Sequence, residues 1–193
     1  EYPVLYGWSL TSCEAQRVGV ELAEEVGGVI DNTSTVCHGP SILGVHDIGE
    51  PTCTLGEVKA RADLILYWGC NPEEAHHRHP LRYSIQPKGR FRKERKERKV
   101  IVVDVRRTHT TKMADIFIQV EPNQDYELIS ALRMALENEE IEEEKVAGVP
   151  VEQIEEVADM LMSCEFGILF YGLGLTMSAG KERNIDAALC LVR

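Results

Sequence analysis

Cys37 and His38 stand side by side and are followed at once by Gly39, Pro40 and Ser41. A thiolate is the soft nucleophile and soft metal ligand among the side chains, and an adjacent imidazole handles protons near neutral pH. Taken alone, the pair reads more simply as a buried cysteine beside a turn histidine, with Gly39 and Pro40 breaking the backbone. Three further stretches suit a phosphate-bearing ligand: Gly69-Cys70-Asn71-Pro72, Asp104-Val105-Arg106-Arg107-Thr108 and Gly172-Leu173-Gly174-Leu175-Thr176. Glycine lets backbone N–H groups approach a phosphate, while Asn offers both a donor and an acceptor. Each has a plainer reading too. Gly69 and Asn71-Pro72 could make a tight turn, Asp104 could cap one, and Asp125 could cap a helix starting near Tyr126.

The elements that must carry these residues follow from apolar patterning. Short apolar runs at 4–6, 64–68, 100–105, 116–120 and 167–171 read as buried strands, and helical spacing covers 12–26, 55–62, 126–137 and 151–162. Near-continuous apolar strands alternating with helices imply an α/β fold, a doubly wound and mostly parallel sheet with helices on both faces. Ligands of such sheets gather beyond the carboxyl ends of the strands, where all three unusual loops fall. Together they point to a long nucleotide ligand. The ordinary G-x-G-x-x-G unit is absent, which disfavours a standard nicotinamide site. The organisation expected is a first strand–helix unit over 1–36, an α/β dinucleotide-binding domain over 37–175, and a truncated helix over 176–193. The chain opens on Glu1 and stops inside that amphipathic pattern, as an excised fragment would.

Charge narrows the partners. Eight of the 21 basic residues lie within 88–99, leaving a strongly acidic remainder in a chain of net charge -11. An acidic body argues against nucleic acid, and 88–99 reads as a solvated loop or subunit-docking arm. The six cysteines include no C-x-x-C pair and no zinc-finger spacing. No apolar run approaches the length of about twenty residues that a membrane span needs, and nothing resembles a signal peptide. The expectation is a cytoplasmic, reducing setting with free thiols, in which Cys13, Cys164 and Cys190 are small core residues.

In order along the chain, Gly69-Cys70-Asn71-Pro72, then Val103-Asp104-Val105-Arg106-Arg107-Thr108-His109-Thr110-Thr111-Lys112-Met113-Ala114-Asp115, then Pro122-Asn123-Gln124-Asp125 resemble three recurring motifs. These are the G-x-N-P, V-D-P-R-x-T-x-T-A-x-x-A-D and P-G-T-D stretches of the molybdopterin oxidoreductases, molybdenum or tungsten enzymes that bind two pyranopterin guanosine dinucleotides. Cys37-His38-Gly39-Pro40-Ser41 is similar to the active-site segment of formate dehydrogenases, where Cys or selenocysteine ligates the metal and His follows. Within the superfamily, residues 6–16, 23–31 and 72–76 with Arg78-His79 are most similar to the B subunits of formylmethanofuran dehydrogenases. The likeness runs along nearly the whole chain. Val105 stands for the family Pro, Thr111 for Ala, and Asn123-Gln124 for Gly-Thr. The family His-Pro pair is matched in spacing by His76-His77, while a literal His79-Pro80 follows three residues later.

The resemblance implies a formate dehydrogenase/DMSO reductase-like fold. It implies Cys37 as the thiolate on tungsten or molybdenum, a soft donor suited to that centre, and His38 as the proton acceptor or donor beside it. Gly69 and Asn71, with His76 by spacing, would lie along one dinucleotide. Asp104, Thr108 and Asp125 would fix guanosine groups, Arg106 or Arg107 would offset phosphate charge, and Gly172 and Gly174 would form another close-approach loop. The implied activity is reversible two-electron reduction of carbon dioxide to formate, in methanogenesis. Formate would pass to an amidohydrolase subunit, and electrons would arrive from iron–sulfur subunits. A 4Fe-4S cluster would sit in a preceding cysteine-rich segment, so the fragment alone is expected to be inactive and to bind neither metal nor cluster. A stand-alone formate dehydrogenase is the enzymatic alternative. A non-catalytic nucleotide-binding scaffold is the alternative of another class.

Overall fold

The computed structural model describes residues 2–35 and 37–193; Glu1 and Val36, the two ends of the first unit expected above, lie outside the described residues. The centre is a four-stranded parallel sheet of β3 (Leu64–Trp68), β4 (Lys99–Asp104), β5 (Ile116–Gln119) and β8 (Gly167–Tyr171), in the order β5-β4-β3-β8. The inner strands β3 and β4 are the continuous apolar runs, and all five residues of β3 are buried. Side chains alternate across the sheet. Leu64, Leu66, Trp68, Ile101 and Val103 pack with α6 (Asp125–Leu136), α7 (Val151–Ser163) and α9 (Glu182–Leu191). Ile65, Tyr67, Val100 and Val102 meet Val58 and Ala62, from α3 (Leu55–Arg61) and its C-cap, together with Ile85. Helices thus cover both faces, as the sequence predicts.

The chain runs outward from β3 to β4 and β5, passes through α6, a two-residue antiparallel ladder (β6 Lys145–Val146, β7 Val149–Pro150) and α7, then adds β8 on the other side of β3. The winding therefore changes direction between β3 and β8, with Trp68 level with Tyr171 at their carboxyl ends. That is where an open α/β sheet makes its ligand crevice.

Ahead of the sheet, β1 (Val4–Tyr6) and β2 (Val29–Asp31) pair in parallel around α1 (Cys13–Glu25). The helix packs through Gly19, where an added Cβ would lie 2.5 Å from the Trp8 ring. Cys13 is exposed rather than a core residue, because α1 turns its small Gly19 and Ala23 inward and leaves its first residue in solvent.

Three other expectations are corrected. Gly39 and Pro40 do not break the backbone; they begin α2 (Gly39–Ile48), since proline is tolerated in a first turn whose N–H groups have no helical partner. The helix expected over 176–193 starts only at Glu182, as α9; a turn over 177–181 joins it to α8 (Leu173–Thr176), and Asn184 ties that turn through bonds of 3.0 Å to the Leu175 carbonyl and 2.9 Å to that of Ala179. The stretch 88–99 is not merely solvated, for Arg98 is buried and donates to the Lys59 carbonyl at 2.7 Å. All six cysteines are free, and among the described residues no helix is long and apolar enough to cross a membrane.

Candidate functional site

Cys37 and His38 sit at the N-terminal end of α2, whose Val45 and Ile48 pack against the core while Ile42 and Leu43 stay exposed. Its position comes from α9. Gly44 lets the two helices approach, since a Cβ there would lie 2.9 Å from Ile185 Cγ2 and 2.8 Å from Asp186 Oδ1. Both residues of the pair open on a cavity of about 820 Å³ that runs along β8. Its wall is apolar at Phe170, Tyr171, Leu173 and Leu189, with Cys53, Gly172 and Thr176 also facing it. The Thr176 hydroxyl is buried and has no hydrogen-bond partner among the described residues.

Leu173 separates this cavity from a second recess of about 260 Å³, at the carboxyl ends of β3, β4 and β8. Here the structure brings together Gly69, Asp104, Asp125 and Gly174 with Asn123 and Ser178. The floor is a backbone seam between the loops after β3 and β8. Gly172 donates to the Trp68 carbonyl at 3.1 Å and Gly174 to that of Gly69 at 2.9 Å. A Cβ on Gly174 would lie 2.5 Å from Gly69 Cα, and one on Gly172 would lie 2.5 Å from Cys70 Cβ. These glycines therefore let two loops touch, and Gly69 and Gly174 also line the recess.

Asp125 is the first residue of α6 rather than its cap, which is Gln124. Only 4% exposed, it accepts a 2.8 Å bond from the Trp68 indole N–H, a partner that sequence reading missed. Burial pushes its carboxyl above the ordinary range, while bonds from Trp68 and Ser178 pull the other way. A carboxyl whose native pKa is raised holds its proton more tightly when folded. Its contribution to stability is full below the unfolded pKa and is lost as pH rises through the folded one. Asp125→Asn keeps an oxygen for the indole and removes the charge. It is expected to flatten the stability profile from about pH 4 upward, with an unfolding midpoint at neutral pH at or above the parental one. Thermal unfolding across that range checks this, and an unchanged profile would refute it.

The other expected residues are distributed as follows. Asp104 accepts from the Arg106 backbone N–H at 3.2 Å, while the Arg106 side chain is exposed. The Asn71 side-chain oxygen takes bonds from the Thr110 backbone and hydroxyl, so it braces the loop after β3. Thr108 is buried, with its hydroxyl unpartnered among the described residues. His76 lies exposed at the end of α4 (Pro72–Ala75). His79, in α5 (Arg78–Arg82), is instead packed edge-on to Phe170 at 4.7 Å, and burial followed by the nearby His76 lowers its pKa. Cys70 donates to the Phe170 carbonyl at 3.3 Å, and burial pushes its thiol up to about 12. Among the described residues no cluster of three or more His, Cys, Asp or Glu could hold a metal ion.

No family model matches the chain. Its relatives include the B subunits of the tungsten-containing formylmethanofuran dehydrogenase 2 of two organisms, with 56% identity over 191 residues for Methanocaldococcus jannaschii and 54% over 191 residues for Methanococcus maripaludis. Each match covers 98% of this chain but 44% of the relative, so the chain spans less than half the length of these curated relatives. Formate dehydrogenase H of Escherichia coli is 24% identical over 197 residues, covering 86% of this chain and 26% of that protein. Two solved structures share the fold. The formyltransferase/hydrolase complex (FhcABCD) from Methylorubrum extorquens, in complex with methylofuran, has a chain with TM-score 0.63 and 21% identity, covering 100% of this chain and 49% of that one. Acetylene hydratase from Pelobacter acetylenicus has TM-score 0.64 and 17% identity, with 84% and 25% covered.

Proposed function

The chain belongs to the family of formylmethanofuran dehydrogenase B subunits, and from that premise we propose that it forms part of a catalytic subunit that interconverts carbon dioxide and formate at a pterin-bound tungsten or molybdenum. The observation that carries this reading is the pairing of spaces. Cys37 and His38 open on a large cavity, and one residue away lies a recess with two carboxylates, Asp104 and Asp125. The residues present suit such a group. A lone thiolate completes a metal already held by sulfur donors of its cofactor. The buried hydroxyl of Thr176, which faces the cavity, has no partner among the described residues, as a group awaiting a polar ligand would.

When bound, the metal–pterin group supplies two-electron exchange with the one-carbon substrate. This chain's residues do the rest. The Cys37 thiolate provides the protein's bond to the metal, and the His38 imidazole accepts or donates the proton that accompanies the electrons. Phe170, Tyr171, Leu173 and Leu189 give the cavity an apolar wall that limits water around the reacting carbon. Asp104 and Asp125 accept hydrogen bonds from N–H groups of a purine edge, and exposed Arg106 offsets phosphate charge. The relatives' name favours tungsten. Amidohydrolase and iron–sulfur subunits would take up formate and deliver electrons.

Metal analysis and nucleotide release on the full-length subunit in its complex test the reading. Tungsten or molybdenum in fixed proportion to guanine nucleotide, with formate–carbon dioxide turnover, is the expected result. A complex holding neither metal nor guanine nucleotide would instead support the scaffold reading.

A further inference from the structure

The loop 88–99 divides its cations into two sets. Three arginines point inward and fasten it to the amino ends of the strands. Arg92 reaches Asp63 at 3.3 Å and also pairs with Glu165, just before β3 and β8. Arg95 pairs with Asp115 at 3.0 Å, before β5, and donates to the Met113 carbonyl at 2.9 Å. Arg98 is buried against Lys59 at the end of α3. Backbone bonds add to this: Phe91 donates to the Ala60 carbonyl at 2.9 Å and Lys99 to that of Asp63 at 2.7 Å. The Glu97 carboxylate folds back onto the Glu94 backbone N–H at 2.7 Å.

The second set faces out. Lys88, Arg90, Lys93, Lys96 and Lys99 are exposed, and among the described residues only Lys96 has an ion-pair partner, Glu94 at 2.9 Å. Phe91 stands among them 60% exposed, with the Arg90 guanidinium 5.4 Å from its ring centre. A charged loop kept only for solubility has no need of three buried or half-buried arginines to hold its shape. Fastened in this way, the outer cations and the aromatic ring lose little freedom when a partner arrives. An exposed aromatic with an arginine over its ring combines two of the residue types that anchor protein interfaces.

We propose that this ridge docks a carboxylate-rich face of a folded protein partner, with Phe91 as its apolar anchor; the inference rests on reading the chain as part of a multisubunit enzyme. The acidic remainder of the chain selects that class of partner. A polyanion such as RNA or an anionic membrane meets repulsion from the rest of the surface. A protein with one local acidic face meets mainly the ridge, because screening cuts charge effects beyond about 8 Å at physiological salt. The ridge lies at the amino ends of the strands, so a partner there leaves the recess of Asp125 uncovered at the opposite ends.

The test uses the full-length subunit in its complex, carrying Lys88→Glu, Lys93→Glu and Lys99→Glu together, or Phe91→Ala, with Lys→Arg at the same three positions as control. Native mass spectrometry over a potassium chloride series reads which subunits stay attached. The expected result is loss of a specific neighbouring subunit at lower salt in the charge-reversed variant, with association about ten- to a hundredfold weaker. Phe91→Ala should show a smaller loss and the arginine control none. Parental subunit composition and salt midpoint in the reversed variant would overturn the proposal. So would binding of labelled single-stranded RNA, or of vesicles containing anionic lipid, that the reversal abolishes while subunit composition stays parental. Metal content and formate turnover of the parental complex, measured on the same sample, show separately whether the catalytic reading stands.

Discussion

Cys37→Ala in the full-length subunit, assayed within its complex, is expected to lower formate–carbon dioxide turnover by more than about a hundredfold, since loss of even an outer-shell partner of a metal costs about 10–100-fold. The substitution removes the chain's single candidate protein bond to the metal and little else. Cys37 is half-buried in an open cavity, so the change should shift stability by less than about 1 kcal/mol. No other thiol stands ready to replace it. Burial keeps the Cys70 thiol protonated, with its pKa up at about 12 and its hydrogen given to the Phe170 carbonyl. Cys53 faces the same cavity, and burial raises its pKa as well, so Cys53→Ala serves as the control and should leave turnover near the parental value. Metal analysis of the Cys37→Ala complex separates loss of metal from loss of chemistry. Turnover at the parental rate would sink the assignment of Cys37 as the ligand.

The inner strands and the long amphipathic helices were legible in the sequence because burial on both faces, or on one stripe, writes itself as continuous or periodic apolar residues. β3 and β8 match the expected limits, α7 differs from its own by one residue at its end, and α6 is shifted by one residue at each end. α2 left no such signal. Its fully buried positions are Pro40 and Gly44, and its large apolar residues are split between core-facing Val45 and Ile48 and exposed Ile42 and Leu43, so no single apolar stripe marks it. β2 is three residues long, and β6 and β7 two each, too short for any period. In the site, the glycines were visible, but the contact between two loops that they allow was not, because it depends on β3 and β8 being neighbours. The Trp68–Asp125 bond joins residues 57 apart and depends on α6 starting beside the end of β3. The basic stretch was visible as charge, yet only the fold shows which arginines turn inward.

The seam between the loops after β3 and β8 gives the second large expected effect. Gly69→Ala should destabilise the chain by about 2–5 kcal/mol, from two costs that add. Gly69 has φ 56, in the left-handed region, which costs an L residue about 1–2 kcal/mol. Its new Cβ would also lie 2.7 Å from Gly174 Cα and 3.1 Å from Gly174 C. Those are backbone atoms of a loop bonded to Gly69 at 2.9 Å, so no flexible side chain can yield, and overpacking adds about 1–3 kcal/mol. Gly174→Ala meets the same seam from the other side without the left-handed cost, so it should destabilise by about 1–3 kcal/mol. Gly56, in the first turn of α3, supplies the contrast. Its added Cβ would meet only Thr54 Oγ1 at 3.6 Å, and Gly56→Ala should be neutral or stabilising by up to about 1 kcal/mol. Urea unfolding of the three variants should therefore order their midpoints as Gly69→Ala, Gly174→Ala, parental, Gly56→Ala. A Gly69→Ala midpoint at the parental value would mean that the seam can open without cost. Since Gly69 and Gly174 border the recess of Asp104 and Asp125, an opened seam should also lower guanine nucleotide retention in the full complex while leaving Cys37 in place.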